Sequence, residues 1–176
     1  LLKKDNTKLH FSALNQDARF SVKLSQNIAL KAAKNEWVMV IPVSLAIFNE
    51  EWLLHISKNL TNERNVVVNY SNAEHTGSFY NSIYRIEQFL QQLRCAGFSM
   101  AGFPFVYSEE NVAFKKEMYF SSGSYGPKMH EPYANLELLI NKFISKNKVT
   151  FLFQSKTSIF KEENIGKNDY FDLVKK

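Results

Sequence analysis

The chain has 176 residues, 45% of them hydrophobic and 14% aromatic, which is enough apolar material for one globular domain with a real core. Its formal net charge of +5 is spread as single lysines among acids, with no cluster longer than pairs such as Lys3-Lys4, Lys115-Lys116 and Lys175-Lys176. Without a polybasic stretch to concentrate a field, nucleic acid is not an expected partner, whereas a few surface lysines near anionic lipid each add about 1 kcal/mol of attraction.

Cys95 is the single cysteine, so an internal disulfide framework and a cysteine zinc site are both excluded, and a reducing compartment such as the cytoplasm is the simplest expectation. The longest apolar runs, Trp37 to Leu45 and Phe98 to Tyr107, fall well short of the roughly 18 residues a membrane helix needs, and Pro42 interrupts the first. The opening Leu-Leu-Lys-Lys-Asp-Asn carries no apolar leader, and reads as the start of a segment of something longer.

In chain order, Lys8 to Leu14 alternates as a strand does, and Ser21 to Lys34 carries Leu24, Ile28 and Ala32 at four-residue steps, the face of a helix. Trp37 to Val43 is an apolar, β-branched run expected to lie in a sheet covered by helices on both faces. Asn49 caps a predicted helix through Leu60 that buries Trp52, Leu53 and Ile56. Arg64 to Tyr70, with Val66-Val67-Val68, predicts another buried strand, and Ser71 to Gly77 a polar turn.

The longest element follows. Phe79, Ile83, Ile86, Leu90, Leu93, Gly97 and Met100 recur at alternating steps of four and three, with Asn81, Arg85, Gln88 and Gln92 opposite, which predicts an amphipathic helix of about six turns. Gly102 and Pro104 end it. Asn111 to Lys115 reads as short and extended, and Ser121 to Pro127 as a loop. Glu131-Pro132 opens a helix with the stripe Leu136, Leu139, Ile140, Phe143 and Ile144, and Val149 to Phe153 is the last predicted strand. The alternation of strand and helix predicts an α/β domain with a mixed sheet over residues 1–160, followed by a polar tail over 161–176.

Several motifs carry a resemblance. Lys31-Ala32-Ala33-Lys34-Asn35-Glu36 leads into the hydrophobic run Trp37 to Ile41, and Trp52-Leu53 follows it. Phe98-Ser99-Met100-Ala101-Gly102-Phe103-Pro104-Phe105 is followed without a gap by Asn111-Val112-Ala113-Phe114-Lys115-Lys116 and Ala134-Asn135-Leu136-Glu137-Leu138. From Glu36 to Phe153 the chain resembles the later half of a bacterial family 2 glycosyltransferase of GT-A fold. The resemblance implies a domain incomplete at its amino end, because the strands that bind the nucleotide base precede this region in the family. It implies transfer of a sugar from a nucleotide-sugar donor to a saccharide or lipid-linked acceptor, with Mn²⁺ or Mg²⁺ as the family's cofactor.

The departures fall on the chemistry. Pro42-Val43-Ser44 stands in the slot of the Asp-x-Asp motif whose carboxylates hold the cation, and neither a ring nor a neutral hydroxyl supplies the anionic oxygens that hard cations prefer. No cofactor is therefore expected in this form. In the slot of the catalytic base only Glu137 remains of three acids, with Asn135 beside it. Glu137 is either that base or an ordinary helix carboxylate near Asn141. His130 matches a family histidine and is otherwise a loop or capping residue. Asn111 either contacts an acceptor sugar or satisfies strand-end backbone groups, and Tyr107, with Glu109 and Glu110 beside it, reshapes the acceptor side. Cys95 and the Ser122-Gly123-Ser124 turn read as packing and loop.

Two functions are thus expected in competition: a family 2-like glycosyltransferase, and a non-catalytic relative that binds a glycan or a protein as a scaffold. The expected location is cytoplasmic, at the inner face of a membrane, and an exposed sheet edge would allow pairing with another copy.

Overall fold

The computed structural model describes residues 21–42, 44–47, 49–131, 135–162 and 165–174. Six α-helices are present among them: α1 (Ser21–Ala32), α2 (Trp52–Ser57), α3 (Phe79–Ala101), α4 (Lys116–Ser121), α5 (Leu136–Phe143) and α6 (Lys167–Val174). The strands are β1 (Trp37–Val40), β2 (Leu45–Ile47), β3 (Val66–Asn69), β4 (Ser71–Ala73), β5 (Val112–Lys115), β6 (Val149–Leu152) and β7 (Ile159–Lys161). The expected strand from Lys8 to Leu14 lies outside the described residues. No helix among the described residues is long and apolar enough to cross a membrane.

The main sheet has the order β1-β5-β3-β6, with β5 antiparallel to both neighbours and β6 parallel to β3. The run Val66-Val67-Val68 explains its centre: β-branched side chains favour the pleat, and alternate residues supply opposite faces. Val66 and Val68 join Val112, Phe114, Leu139 and Ile140 on one face, under α1, α4 and α5. Val67 joins Ala113 and Leu152 on the other, near Trp37 and Met39. Burying each large side chain contributes about 1.5–3 kcal/mol, so this two-sided strand organises the domain. The architecture is mixed α/β, a mixed sheet flanked by helices.

A second sheet, β2-β7-β4, continues from the first. The chain passes from β3 to β4 through Tyr70 alone, so Ser71–Ala73, expected to be a turn, is instead a buried strand parallel to β7. Its residues are small and polar, and pairing of the backbone with β7 rather than side-chain hydrophobicity makes it a strand. β7 itself lies beyond the strand expected to be last.

Other differences have equally local reasons. β1 stops at Val40 and forms the edge of the sheet, half-buried rather than covered on both faces. α2 buries Trp52 and Ile56 but leaves Leu53 exposed. On α1 Lys23 and Leu30 are buried, while of the expected face Leu24 and Ile28 are half-buried and Ala32 is exposed. The expected polar tail contains buried Ile165 and the helix α6, which packs on α3.

α3 has the predicted length and ends at Gly102, whose φ of 102° is a left-handed cap that favours glycine. Its orientation is the reverse of the expected one. Asn81 and Gln92 are 0% and 3% exposed, while Ile86 and Met100 on the apolar stripe are 59% and 83% exposed. The inward face meets backbone ends as well as the apolar cluster of Tyr84, Ala73 and Ile165: Asn81 Nδ2 donates to Glu74 O, Arg85 to Ala73 O, and Gln92 Nε2 to Asn69 O. Polar side chains satisfy those strand-end carbonyls, so they turn inward and the apolar stripe faces solvent.

Candidate functional site

An open cleft of about 350 Å³ lies between α1 and β1, lined by Gln26, Leu30, Val38, Val40, Ile41 and Leu136 among others. Its walls are mostly apolar because α1 presents Ala29, Leu30 and Ala33 to the edge strand. Its polar side is the start of α5, where the backbone N–H groups of a helix are left without internal partners.

Glu109 binds that helix start. Its Oε2 accepts the Leu136 N–H at 2.8 Å, and its Oε1 accepts Gln26 Nε2 at 2.9 Å. The carboxylate is thus favourably placed at a helix N-terminus and ties the loop before β5 to α1. Gln26 Oε1 in turn accepts the hydroxyl of Tyr125, a fully buried ring. Burial, then the charges of Glu109 and Glu137, push the Tyr125 hydroxyl pKa well above its ordinary value, so it stays a neutral donor.

Glu137 is half-buried in the first turn of α5. Burial pushes its carboxyl pKa up, and the negative charge of Glu109 adds to the rise. Its own backbone N–H and the Asn135 side chain work against it. Glu109 is thus tied down by hydrogen bonds, while Glu137 is partly desolvated beside its charge.

The structure therefore joins Glu137 and Asn135 to Glu109 and Tyr125, and through them to Gln26, and holds Tyr107 and Asn111 elsewhere. Tyr107 lies under α3, where its hydroxyl donates to Gln88 Oε1 at 3.0 Å and burial raises its pKa strongly. Asn111 is completely buried where the two sheets meet. Its Nδ2 donates to Tyr70 O at 2.8 Å and to Thr157 O at 3.0 Å. These two bonds fill the backbone-satisfying role, while the Oδ1 of the same side chain is buried without a hydrogen-bond partner. His130 ends a 3₁₀ turn, Gly126–His130, and its side chain lies outside the description. Cys95 is buried, which pushes its thiol up to about 11.

Sequence reasoning missed the link of Glu109 and Tyr125 to Glu137, and of Gln26 to both of them. Glu109 and Glu110 stand out only as acids where the resembled family has other residues, and nothing in the pair tells them apart. In the fold Glu109 turns to α1 and α5, while Glu110 forms an ion pair with buried Lys161 at 3.1 Å.

The metal slot of the resembled family falls just past β1. Ile41 lines the cleft, Pro42 is half-buried and Ser44 is exposed. Among the described residues no group of three or more His, Cys, Asp or Glu side chains is placed to hold a metal ion. With a ring and a hydroxyl in the two slot positions, the residues present do not fit a divalent cation. Compared with protein-family models and with curated proteins, the sequence matches none.

Proposed function

We propose that this chain is a GT-A-like domain of family 2 glycosyltransferase descent. Its α1–β1 cleft takes a saccharide or lipid-linked acceptor. Glu137 receives the proton of the acceptor hydroxyl as that oxygen bonds the anomeric carbon of a nucleotide sugar, and the nucleoside diphosphate leaves with the bonding electron pair. The observation that supports this reading is the desolvated Glu137 carboxyl, raised in pKa beside Glu109 and adjacent to cleft-lining Leu136. A base works best when its pKa approaches the working pH, and burial moves a carboxyl in that direction. Gln26 and Asn135 are the amides available to orient a sugar hydroxyl.

A second reading, a glycan-binding scaffold without transfer, is favoured by one specific feature: Pro42 and Ser44 leave the departing diphosphate without the carboxylate-held cation of the resembled family. Calorimetry and product analysis separate the two. Transfer or hydrolysis of a nucleotide sugar that is lost in Glu137→Gln supports the enzyme. Binding of oligosaccharide with no nucleotide-sugar turnover, with or without Mn²⁺, supports the scaffold. Binding of neither class of ligand by the folded chain overturns both.

A further inference from the structure

The apolar stripe of α3 is the least expected surface of the molecule. Phe79, Ile86, Leu90, Leu93 and Met100 all stand in solvent on one 23-residue helix. Contiguous exposed apolar surface of this kind marks an interaction site. The spacing of the stripe is that of a heptad: Ile83, Leu90 and Gly97 occupy one apolar position, and Phe79, Ile86, Leu93 and Met100 the other. A sustained 3.5-residue repeat fits a second helix packed at a shallow left-handed crossing, whereas a helix resting on a flat surface has no need of it.

We propose that α3 is a homodimer interface, in which it packs antiparallel against α3 of a second copy about a twofold axis. The charges flanking the stripe select this occupant and one register. In an antiparallel pair the two apolar positions face one another, and the register with Leu90 opposite Leu93 of the second copy also sets Ile86 opposite Gly97 and Ile83 opposite Met100. The nearest flanking residues in that register are Glu87 and Arg94 of opposite copies, and the twofold makes this ion pair twice. Sliding by one heptad in one direction sets Glu87 against Glu87, and in the other Arg94 against Arg94. A parallel pair brings neither charge opposite the other. Only one alignment is therefore both fully overlapped and charge-complementary.

The free chain is already arranged for it. Glu87 and Arg94 are both exposed on α3. The Tyr170 hydroxyl of α6 donates to Glu87 Oε1 at 2.7 Å, which fixes the carboxylate at the edge of the stripe rather than leaving it to wander in solvent. Gly97, with nothing within 4 Å of where a Cβ would stand, leaves the space that Ile86 of the second copy needs. This inference does not depend on the glycosyltransferase reading, since no residue of the stripe lines the α1–β1 cleft.

Sedimentation velocity of the full chain over a range up to about 100 µM tests the proposal. A concentration-dependent dimer is expected. Glu87→Arg and Arg94→Glu each bring like charges together and should weaken the dimer by roughly tenfold or more. The double variant Glu87→Arg/Arg94→Glu restores the pairing with signs exchanged, and should recover most of that loss. Leu90→Glu should give a monomer whose circular dichroism is unchanged, because the side chain it replaces is already exposed. A monomer throughout the range overturns the proposal. So does a dimer indifferent to Leu90→Glu, a double variant no better than the singles, or a monomer whose α3 binds vesicles of anionic lipid instead.

Discussion

Gln26 on α1 donates to the Oε1 of Glu109 at 2.9 Å across a separation of 83 residues, and through that one bond the cleft wall and the start of α5 become a single unit. The other oxygen of the same carboxylate holds the Leu136 N–H, so the charge of Glu109 is fixed close to Glu137. The proton affinity of Glu137 is consequently a property of two distant segments.

Replacing Glu109 with Gln should lower the Glu137 pKa toward its ordinary value of 4.5, because the repulsive charge disappears while burial remains. Carboxyl chemical shifts followed through an NMR titration give the answer. An unmoved Glu137 titration would show that the two groups are not coupled.

Stability should respond to pH with a defined sign. The folded chain holds the Glu137 proton more tightly than the unfolded chain, so between 4.5 and the raised folded value the native state binds more protons. Stability from this group therefore falls as pH rises through that window, and stays reduced above it. Glu137→Gln should raise the melting temperature at about pH 8 and leave it nearly unchanged well below pH 4. Equal melting curves at both pH values would contradict the sign.

Asn111 carries a φ of 55° and bonds two carbonyls from different segments at the junction of the sheets. Asn111→Ala removes one of two donors from the Tyr70 and Thr157 carbonyls, which keep the Ile159 N–H and the Trp52 Nε1–H, and puts a less tolerant residue in the left-handed region. A loss of about 1–3 kcal/mol in urea unfolding is expected. A loss under about 0.5 kcal/mol, the range of an ordinary surface change, would refute the structural role.

The reversed face of α3 has its own test. Asn81 bonds Glu74 O at 2.9 Å and the Thr76 N–H at 3.1 Å with no exposure to water. Asn81→Ala should cost about 1–3 kcal/mol, measured by chemical denaturation, although a residue on a solvent face would cost almost nothing.

Two glycines of the same helix should respond with opposite signs. Gly97 has helical geometry and open space, so Gly97→Ala should stabilise the monomer by about 0.5–1 kcal/mol. Gly102 has a φ of 102° and lies 3.6 Å from Lys146 side-chain atoms at the site of a Cβ, so Gly102→Ala should destabilise by about 1 kcal/mol or more. Thermal melts of the two variants at dilute concentration compare them directly.

The amino-acid sequence by itself determined the local periods. Val66-Val67-Val68 dictates a strand buried on two faces, the four-three spacing from Phe79 to Met100 dictates one long helix stopped at Gly102, and Leu136, Leu139 and Ile140 dictate the buried stripe of α5. These follow from dihedral preference and side-chain spacing, which act within a few residues. Tertiary structure alone decided which side of α3 turns inward, because the strand-end carbonyls it meets demand polar partners that no periodicity announces. It alone made a strand of Ser71–Ala73, whose partner β7 lies far along the chain, and it alone separated Glu109 from Glu110. Proton affinity and hydrogen-bond demand depend on distances between segments, and those exist only once the chain has folded.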